Sequence, residues 1–429
     1  MARLPSFIRE IDKKGKLARI KKPVSTYLEI AGIMKALGDR PVLFEKVTGS
    51  RFRVAGNLFS TRKGVADSLG IKEGQLLRKI QDAIDNPKKP TLSKSADFIE
   101  MDADLRKLPL LFHYPKDGGP FITSGVVIAH DKQYGRNCSF HRMMVIGKDR
   151  FSMRILPRHL HKFIERARGE LDVAVCIGCP VNVLLAGATS VGLGVDELGI
   201  ANALKRIETV KLDSGIEVPA ESEFVIEGRI TREMADEGPF VDITGTYDIV
   251  RKQPVMEVDR ILHKRDAVYH ALLPGEMEHK LLMGMPREPT IFREVSRECE
   301  CKGVHITPGG CSWLHAVVGI KKRKEDDGKK AINAAFRGHG SLKHVVVVDD
   351  DIDIYDPRSV EWAIATRLQA DKGVVMRKEP GSSLDPSADL ETRMTCKMGI
   401  DATKPLGERI KKFEKAIGLK VDLKKYLER

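Results

Sequence analysis

Residues 101–295 contain many short runs of β-branched residues, separated by glycine and proline. Such runs are typical of β-strands, because branched side chains fit a pleated, half-buried surface. The candidate strands span residues 122–130, 138–146, 151–156, 173–178, 182–186, 207–211, 223–230 and 241–250. So many short strands in one stretch predict a barrel or a folded sheet, and the rest of the chain must be arranged around it.

Two helices are predicted inside this β-rich stretch. The first opens with Leu156-Pro157, where proline suits the first helical turn, and Gly169 ends it. His159 falls in that first turn, where free backbone N–H groups favour an anion. The second helix starts near Asp196-Glu197, and acidic residues at a helix start are usually capping charges.

The stretches on either side predict α/β structure. Residues before a break at Asn86–Pro90 alternate helical and strand patterns, and residues 300–380 predict a βαβαβ arrangement. An amphipathic helix is predicted around Leu406–Leu427, with Ile410, Phe413 and Ile417 on one face. We therefore expect an α/β (α+β) protein with three domains, at residues 1–100, 101–295 and 296–429.

The bulk composition disfavours several classes of protein. No apolar run approaches the roughly 18–20 residues that span a bilayer, and the first residues lack a secretory signal. We therefore expect a cytoplasmic protein that does not contact a membrane. The formal net charge of +13 suggests anionic ligands. Because the basic residues are spread along the chain without a recognition motif, nucleic-acid binding is only a remote alternative.

Two clusters invite a metal or redox interpretation that their context disfavours. The seven cysteines are odd in number and irregularly spaced, unlike a disulfide framework. The pair Cys176-Ile-Gly-Cys179 lies in a buried-strand pattern without a second Cys/His pair, so buried thiols are favoured over zinc. The acidic run Asp349–Asp353 lacks the spacing of a calcium loop, and a solvated turn at a strand end is favoured.

The segment Asn137-Cys-Ser-Phe-His-Arg142 interrupts the apolar pattern of the central strands. Buried polar groups need partners, because an unpaired one costs roughly 1–3 kcal/mol. Taken alone, the segment is either a polar surface strand or a binding strand. In a regular strand Asn137 and Ser139 share one face and Arg142 takes the other.

Later segments carry groups that suit such a binding strand. His159 and Glu197 lie at predicted helix starts, and Glu237-Gly-Pro-Phe-Val-Asp242 places two carboxylates across a Gly-Pro turn. With Asn137, the first two would offer a divalent metal hard oxygen ligands and one imidazole. An arginine between the two carboxylates would adjust their pKa for acid–base chemistry. Spacing alone does not bring these groups together in space.

Together these motifs resemble the UbiD-type decarboxylases, which use prenylated FMN. The matching elements, in the order of the family, are Asn137-x-Ser139-x-x-Arg142, Leu156-Pro157-Arg158-His159, Gly194-Val-Asp-Glu197, Glu237-Gly-Pro-Phe-x-Asp242 and Lys397. The similarity runs from about residue 20 to residue 405 and is most specific between 119 and 245. The resemblance implies a central split β-barrel of the flavin-reductase type, flanked by α/β units, with a C-terminal helix that aids oligomerisation.

The resemblance also implies the roles of individual residues. Asn137, His159 and Glu197 would hold Mn²⁺ (or Mg²⁺) on the cofactor phosphate, with K⁺ beside it. Arg142, Glu237 and Asp242 would form the catalytic network, in which Asp242 stands where other members carry glutamate and would protonate the carbon that loses CO₂. The residues that would line the cofactor are Ser139, Phe140, His141, Arg142, Arg154, Ile155, Leu156, Arg158, His159 and Lys397.

The length of the chain and the residues of its motifs are similar to those of archaeal members of the family. One reaction of these archaeal members is the conversion of trans-anhydromevalonate 5-phosphate to isopentenyl phosphate. A small phosphorylated unsaturated acid suits a cation-rich pocket, where His141 and nearby Lys or Arg would meet its phosphate. An aromatic or polyprenyl-hydroxybenzoate decarboxylase is the main alternative, and a conventional flavin reductase is another. The implied partners are a flavin prenyltransferase that supplies the cofactor and further copies of the chain, in a homodimer or a higher homo-oligomer.

Overall fold

The computed structural model describes residues 3–407, together with 412–413, 416, 418–419, 421–422 and 425–426. The chain divides into two units. The first unit comprises residues 1–290, 306–315 and 380–395, and the second comprises residues 291–305, 316–379 and 396–429. The division into domains at 1–100, 101–295 and 296–429 stays a prediction.

The N-terminal part of the first unit alternates helices and short strands, as predicted. Its helices are α1 (Leu4–Lys13), α2 (Glu29–Leu37), α3 (Arg62–Leu69) and α4 (Leu76–Asp85). Its strands are β1 (Ala18–Ile20), β2 (Val42–Phe44), β3 (Arg53–Gly56), β4 (Thr91–Ser93) and β5 (Phe98–Met101). The Thr61 hydroxyl caps α3 by accepting the N–H of Gly64, and Gly70 at φ 75° ends it.

The centre of the first unit is rich in strands. These are β6 (Phe121–Ile122), β7 (Val126–Asp131), β8 (Gly135–Phe140), β9 (Met143–Val145), β10 (Arg150–Met153), β11 (Leu171–Ile177), β12 (Glu208–Lys211), β13 (Glu217–Pro219), β14 (Phe224–Glu237), β15 (Phe240–Val241), β16 (Tyr247–Asp248), β17 (Arg251–Lys264) and β18 (Val268–Ala271). The helices are α5 (His159–Arg166), α6 (Val181–Gly187), α7 (Glu197–Leu204), α8 (Met277–Gly284) and α9 (Glu288–Ser296), the last of which runs into the second unit.

Nine of these strands form one sheet. Its order is β6-β9-β10-β17-β14-β11-β7-β8, with β5 paired to β17. The strands β8 and β9 lie far apart in this order, yet only His141 and Arg142 separate them in the chain. Three Cα steps span at most about 11 Å, so the sheet must curl to bring these strand ends together. The strand pairs of the described residues do not close it into a barrel.

Both faces of the central strands are buried, as alternation along β11 shows. Ala174 and Cys176 pack into one apolar cluster, whereas Val173, Val175 and Ile177 pack into another on the opposite face. Full burial of an aliphatic side chain contributes about 1.5–3 kcal/mol. Cys176 is therefore a packed thiol, as predicted.

Two strand predictions were wrong. The predicted strand 182–186 is helix α6, all of whose residues are buried. Its sequence is a continuous apolar run, which lacks the polar–apolar periodicity that distinguishes a helix from a strand. The predicted strand 241–250 is instead a hairpin, in which the two-residue strands β15 and β16 flank a turn where the backbone carbonyl of Asp242 accepts the N–H of Gly245. The predicted strand 138–146 is split at His141-Arg142 into β8 and β9.

The second unit contains the predicted βαβαβ elements. The strands are β19 (Glu300–Ile306), β20 (His315–Lys321), β21 (His344–Asp349), β22 (Val374–Pro380) and β23 (Met394–Ala402), in the sheet order β19-β20-β21-β23-β22. The helices are α10 (Asp327–Gly338), α11 (Pro357–Arg367) and α12 (Ala370–Gly373). Helix α11 starts where Asp356 accepts the N–H groups of Arg358 and Ser359.

The acidic run at the end of β21 forms the predicted turn, with Asp350, Asp351 and Asp353 exposed, but Asp349 is buried and the run also holds the buried Arg367. Arg367 donates to Oδ2 of Asp349 at 2.8 Å and to both carboxylate oxygens of Asp351, at 3.0 and 2.8 Å. Burial raises the pKa of Asp349, whereas Arg367 outweighs burial and lowers the pKa of Asp351. The run therefore serves an ion-pair network within the second unit.

The helix predicted around Leu406–Leu427 falls mostly outside the described residues, and Ile410 and Ile417 are among those left out. In the part of the chain that the structure covers, no helix combines the length and the apolar character needed to cross a bilayer.

Candidate active site

Asn137 on β8 and Glu197 at the start of α7 lie side by side in the first unit. The Asn137 Nδ2 atom donates to Oε1 of Glu197 at 3.2 Å, and the backbone N–H of Cys138 donates to Oε2 at 2.9 Å. Asp196 caps α7 by accepting the N–H of Leu198, which leaves the Glu197 side chain free to point at β8. Glu197 is only 2% exposed, so its carboxylate is held inside the protein.

His159 at the start of α5 completes this group. Its Nδ1 atom lies 3.8 Å from Oε1 of Glu197. An amide, an imidazole and a carboxylate thus converge, and they form a donor set that Mn²⁺ or Mg²⁺ accepts. In the part of the chain that the structure describes, no lysine or arginine pairs with the buried Glu197 carboxylate, which favours a bound cation. Among the described residues no cluster of three or more His, Cys, Asp and Glu could hold a metal, so a metal bound here would also need the Asn137 amide.

A chain of hydrogen bonds leads away from these three residues. The Ser139 hydroxyl donates to Oδ1 of Asn137 at 3.1 Å and lies 3.0 Å from Nε2 of His141. The His141 Nδ1 atom lies 2.9 Å from the carbonyl oxygen of Arg154. Burial, aided by the positive charge of Arg158, lowers the pKa of His141 to about 4, so its imidazole is neutral at pH 7. His141 therefore acts here as a hydrogen-bonding group and not as a cation.

The break between β8 and β9 decides where Arg142 points. Strand β8 ends at Phe140, so the alternation that would place Arg142 opposite Asn137 stops before it. The backbone carbonyl of Arg142 accepts the N–H of Arg154 at 3.0 Å. One short segment can therefore direct Asn137 and Ser139 to one group of partners and Arg142 to another.

Arg142 lies at the centre of a cluster of three carboxylates. Its Nε and Nη2 atoms donate to the two oxygens of Glu237 at 2.8 and 3.0 Å. Its Nη1 atom donates to Asp242 at 2.7 Å, and Nη2 also donates to Asp248 at 2.8 Å. The guanidinium packs 4.6 Å from the ring centre of Phe240, which lies between the first two carboxylates in sequence. Burial opposes the charge, but these carboxylates outweigh it and raise the pKa of Arg142.

Asp248 is a member of this network that the sequence analysis missed. Its Oδ1 atom accepts from Arg251 at 2.5 Å, and its Oδ2 atom accepts from Arg142. Burial alone would raise the pKa of Asp248, but the two arginines lower it. A single aspartate in a predicted strand gives no sign of such a role in the sequence.

A buried loop packs against the same network. Oδ2 of Asp117 accepts the N–H groups of His113 at 3.1 Å and Tyr114 at 2.9 Å, while its Oδ1 atom has no partner. Burial raises the pKa of Asp117 to about 6, and the charge of Arg142 limits the rise. The Gly118 N–H donates to the carbonyl of Pro239 at 2.9 Å, which holds this loop against the turn after Glu237.

His279 on α8 is a second residue that the sequence analysis missed. Its Nδ1 atom accepts the N–H of Gly275 at 3.1 Å, so Nε2 carries the proton of the neutral ring. Burial lowers the pKa of His279, the Asp242 carboxylate opposes this, and Arg142 adds to it. The charges of Asp242 and Arg142 therefore act on His279, which lies near this pair.

The remaining predicted lining residues are placed as follows. Phe140 is the half-buried last residue of β8, and the buried Ile155 donates its N–H to Oε1 of Gln253 at 2.8 Å. Leu156 and Arg158 lie in the turn before α5, where the N–H of Arg158 donates to the carbonyl of Leu156 at 2.7 Å. Burial lowers the pKa of the Arg154 guanidinium, and Arg251 and Arg142 add to this.

Lys397 belongs to the second unit. Its Nζ atom donates to the carbonyl of Gly340 at 2.7 Å and lies 2.9 Å from Glu379. Its role toward a cofactor stays a prediction.

Family profiles cover almost the whole chain. The N-terminal, Rift-related and C-terminal domains of 3-octaprenyl-4-hydroxybenzoate carboxy-lyase, known as UbiD, match residues 8–84, 86–277 and 280–402 respectively.

Two archaeal relatives are similar over nearly their full length. An anhydromevalonate phosphate decarboxylase of Methanocaldococcus jannaschii is 46% identical over 90% of this chain and 94% of its own. Its namesake from Methanosarcina mazei is 44% identical over 96% of this chain and 98% of its own.

Among solved structures, the UbiD-class enzyme HmfF from Pelotomaculum thermopropionicum in complex with FMN is 40% identical. It superimposes with a TM-score of 0.95 over 99% of this chain and 100% of its own. An evolved dimeric form of HmfF in complex with prFMN is 38% identical, with a TM-score of 0.91 over 100% of both chains. Sequence and fold agree, and the chain belongs to the UbiD family.

Proposed function

We propose that this protein decarboxylates trans-anhydromevalonate 5-phosphate to isopentenyl phosphate and CO₂, with prenylated FMN as cofactor. The observation that carries the proposal is the Arg142 network, with Glu237 and Asp242 on two of its nitrogens, beside the group formed by Asn137, His159 and Glu197. The names of the archaeal relatives support the substrate, and the flavin complexes of HmfF support the cofactor. The proposed scaffold is a split β-barrel, in keeping with the curled sheet.

The metal and the flavin have fitting residues. Asn137, His159 and Glu197 would hold Mn²⁺ or Mg²⁺ on the flavin phosphate, with K⁺ nearby. Ser139 and His141 would fix one edge of the cofactor through the hydrogen-bond chain that starts at Asn137. When bound, prenylated FMN supplies the electron acceptor for the pair released when the carbon–carbon bond to CO₂ breaks, which no side chain can supply.

The three carboxylates around Arg142 are not equivalent. Glu237 has a fully buried side chain that both Nε and Nη2 of Arg142 hold, whereas the Asp242 side chain is 18% exposed. The Asp248 side chain is about as exposed, at 17%, but it is held by Arg251 as well as by Arg142. Asp242 is therefore the partly exposed carboxyl group that only one arginine holds, and we assign it to the substrate, while Glu237 and Asp248 fix the arginine. The proton that replaces CO₂ on the substrate carbon would come from Asp242, and Arg142 would hold that carboxyl group in position.

The experiment is reconstitution with prenylated FMN and Mn²⁺, followed by measurement of CO₂ release from anhydromevalonate phosphate and from a panel of aromatic and polyprenyl acids. We expect release from the phosphorylated acid. Release from aromatic acids alone would overturn the substrate assignment, and release from no acid would overturn the decarboxylase assignment. A conventional flavin reductase would keep its activity in Asp242→Asn, whereas the proposed enzyme would lose turnover and keep its flavin.

The remaining partners follow from the same proposal. A flavin prenyltransferase would supply the cofactor, and a homodimer or a higher homo-oligomer would form, in line with the dimeric form of HmfF. A phosphorylated substrate does not cross a lipid bilayer unaided, which supports the cytoplasmic location that the sequence predicts.

A further inference from the structure

Arg287 is a cation that lacks a counter-ion in the first unit. It ends the short 3₁₀ turn Met285–Arg287 that follows α8. Its Nη2 atom donates to the hydroxyl of Ser190 at 2.5 Å, and its Nε atom is buried without a partner. None of the described carboxylates forms an ion pair with it. A guanidinium presents its N–H donors in a planar fork that suits a bidentate anion, and the Nε side of this fork in Arg287 is left without an acceptor.

The surroundings hold this guanidinium in place. It stacks 5.1 Å from the ring centre of Trp313, whose Nε1 atom donates to Ser382 at 3.2 Å. Ser190 lies in the loop between α6 and α7, just before Glu197. Arg287 is therefore fixed next to the segment that carries one of the predicted metal ligands.

A second cation increases the demand for an anion. Burial lowers the pKa of Arg287 to about 10, and the positive charge of Arg158 adds to this. Arg158 occupies the N-cap position of α5 without a capping hydrogen bond from its side chain, and the free backbone N–H groups of this helix start also favour negative charge. Two like charges beside a helix start, neither of which pairs with a carboxylate of the described residues, form a place for a doubly charged group such as a phosphate.

The helical segment that ends at Arg287 also comes close to Asp242, the proposed proton donor. His279 lies eight residues before Arg287, which is about 12 Å along a helix, and it lies in the surroundings of Asp242. An acid with a five-carbon chain and a terminal phosphate spans roughly 7 Å from its carboxylate carbon to phosphorus, in bonds of about 1.5 Å. Side chains that reach inward from the two ends of this segment can therefore serve the two ends of one such molecule.

We propose that Arg287, fixed by Ser190 and Trp313 and assisted by the charge of Arg158, binds the phosphate group of the substrate. This inference rests on the proposed function, since it assumes a phosphorylated acid at the Arg142 network. The phosphate of the flavin is the other phosphate group that an arginine at this place could bind. It is already assigned to the metal at Asn137, His159 and Glu197, which leaves Arg287 for the substrate.

The test compares the reconstituted holoenzyme with Arg287→Gln, with Ser190→Ala as a milder variant and Arg265→Gln as a control at an exposed arginine. We expect Arg287→Gln to retain its flavin absorbance and to raise KM for anhydromevalonate phosphate about 10- to 100-fold, the range for a lost charge-assisted pair. The KM for the same acid without its phosphate should stay unchanged. Ser190→Ala should raise KM less, and Arg265→Gln should change nothing.

A binding measurement separates this inference from the proposed function. Trp313 stacks on Arg287, so its fluorescence should respond to isopentenyl phosphate and to inorganic phosphate in the wild type and lose this response in Arg287→Gln. If the wild type binds isopentenyl phosphate in this way but releases no CO₂ from the acid, the proposed function fails and the phosphate site stands. Loss of flavin from Arg287→Gln would assign the residue to the cofactor and overturn the inference, and so would an unchanged KM together with an unchanged fluorescence response.

Discussion

The Nη1 atom of Arg142 donates a hydrogen bond of 2.7 Å to Oδ2 of Asp242, while the opposite edge of the same guanidinium is held by the buried Glu237. This arrangement ties the carboxyl group that is open to the site to an arginine that cannot move away from it. Oδ1 of Asp242 in turn accepts the N–H of Ile243 at 2.7 Å. Both oxygens are thus oriented before any substrate binds, which lowers the cost of positioning a proton donor.

Asp242→Asn should abolish decarboxylation without emptying the site. Asparagine keeps an oxygen for Arg142 but cannot release a proton, and general acid catalysis contributes about 10²–10⁴-fold. We expect kcat to fall at least about 100-fold, while the flavin absorbance and the bound metal of the reconstituted protein stay at wild-type levels. Asp236→Asn, at an exposed position on β14, is the matched control and should keep full activity. Near-normal turnover in Asp242→Asn would remove this residue from the proton transfer.

Glu237→Gln should lower stability as well as activity. Glu237 is fully buried and accepts two hydrogen bonds from Arg142, and a hydrogen bond to a charged group contributes about 1.5–3 kcal/mol. Asp242 and Asp248 remain as partners of the arginine, so we expect the free energy of unfolding to fall by about 2–3 kcal/mol and not by more. Urea titration of the apoprotein measures this. Glu257→Gln on the exposed side of β17 should change it by less than about 0.5 kcal/mol.

Glu197→Gln should weaken the binding of metal. The carboxylate contacts both Asn137 and the N–H of Cys138 and lies 3.8 Å from His159, so its charge is the main attraction for a cation in that group. Even outer residues of metal sites contribute about 10- to 100-fold to affinity, and we expect a loss of at least about 100-fold for this one. Titration of the apoprotein with Mn²⁺, followed by metal analysis after gel filtration, measures it.

The exposed Glu170→Gln is the control for that experiment and should bind Mn²⁺ as the wild type does. Treatment of the wild-type holoenzyme with a chelator should mimic Glu197→Gln, and added Mn²⁺ should restore activity only in the wild type. Equal Mn²⁺ affinity in both proteins would place the metal elsewhere.

Local patterns predicted much of this fold. Helix α7 starts at Glu197 as predicted, because its cap Asp196 is the preceding residue, whereas α5 starts at His159, two residues after the Pro157 that was predicted to lie in its first turn. The apolar run of α6 was mistaken for a strand, because a helix buried on every side shows no periodicity. The pairing of β14 with β17 along 14-residue strands is also beyond local patterns, since it depends on contacts between distant residues.

The site shows the same limit. The resemblance to the family predicted two groups of residues that the structure brings together. They are Asn137 with Glu197, and Arg142 with Glu237 and Asp242. Asp248, His279 and Arg287 belong to no motif, and their significance arises only from what lies around them. A single charged residue in a sequence does not reveal whether another part of the chain supplies its counter-ion.

Asp117 should make the stability of the protein depend on pH. Burial raises its pKa to about 6 from an ordinary value of 3.8, so between these values the folded chain keeps a proton that the unfolded chain has lost. The folded state therefore binds more protons, and its stability should fall as the pH rises from about 4 to 6 and then level off. Two pKa units correspond to about 3 kcal/mol at most. We expect the difference in unfolding free energy between the wild type and Asp117→Asn to follow this course in urea titrations at several pH values. Asp236→Asn should track the wild type throughout, and a difference that is constant from pH 4 to 7 would show that Asp117 does not titrate in this range.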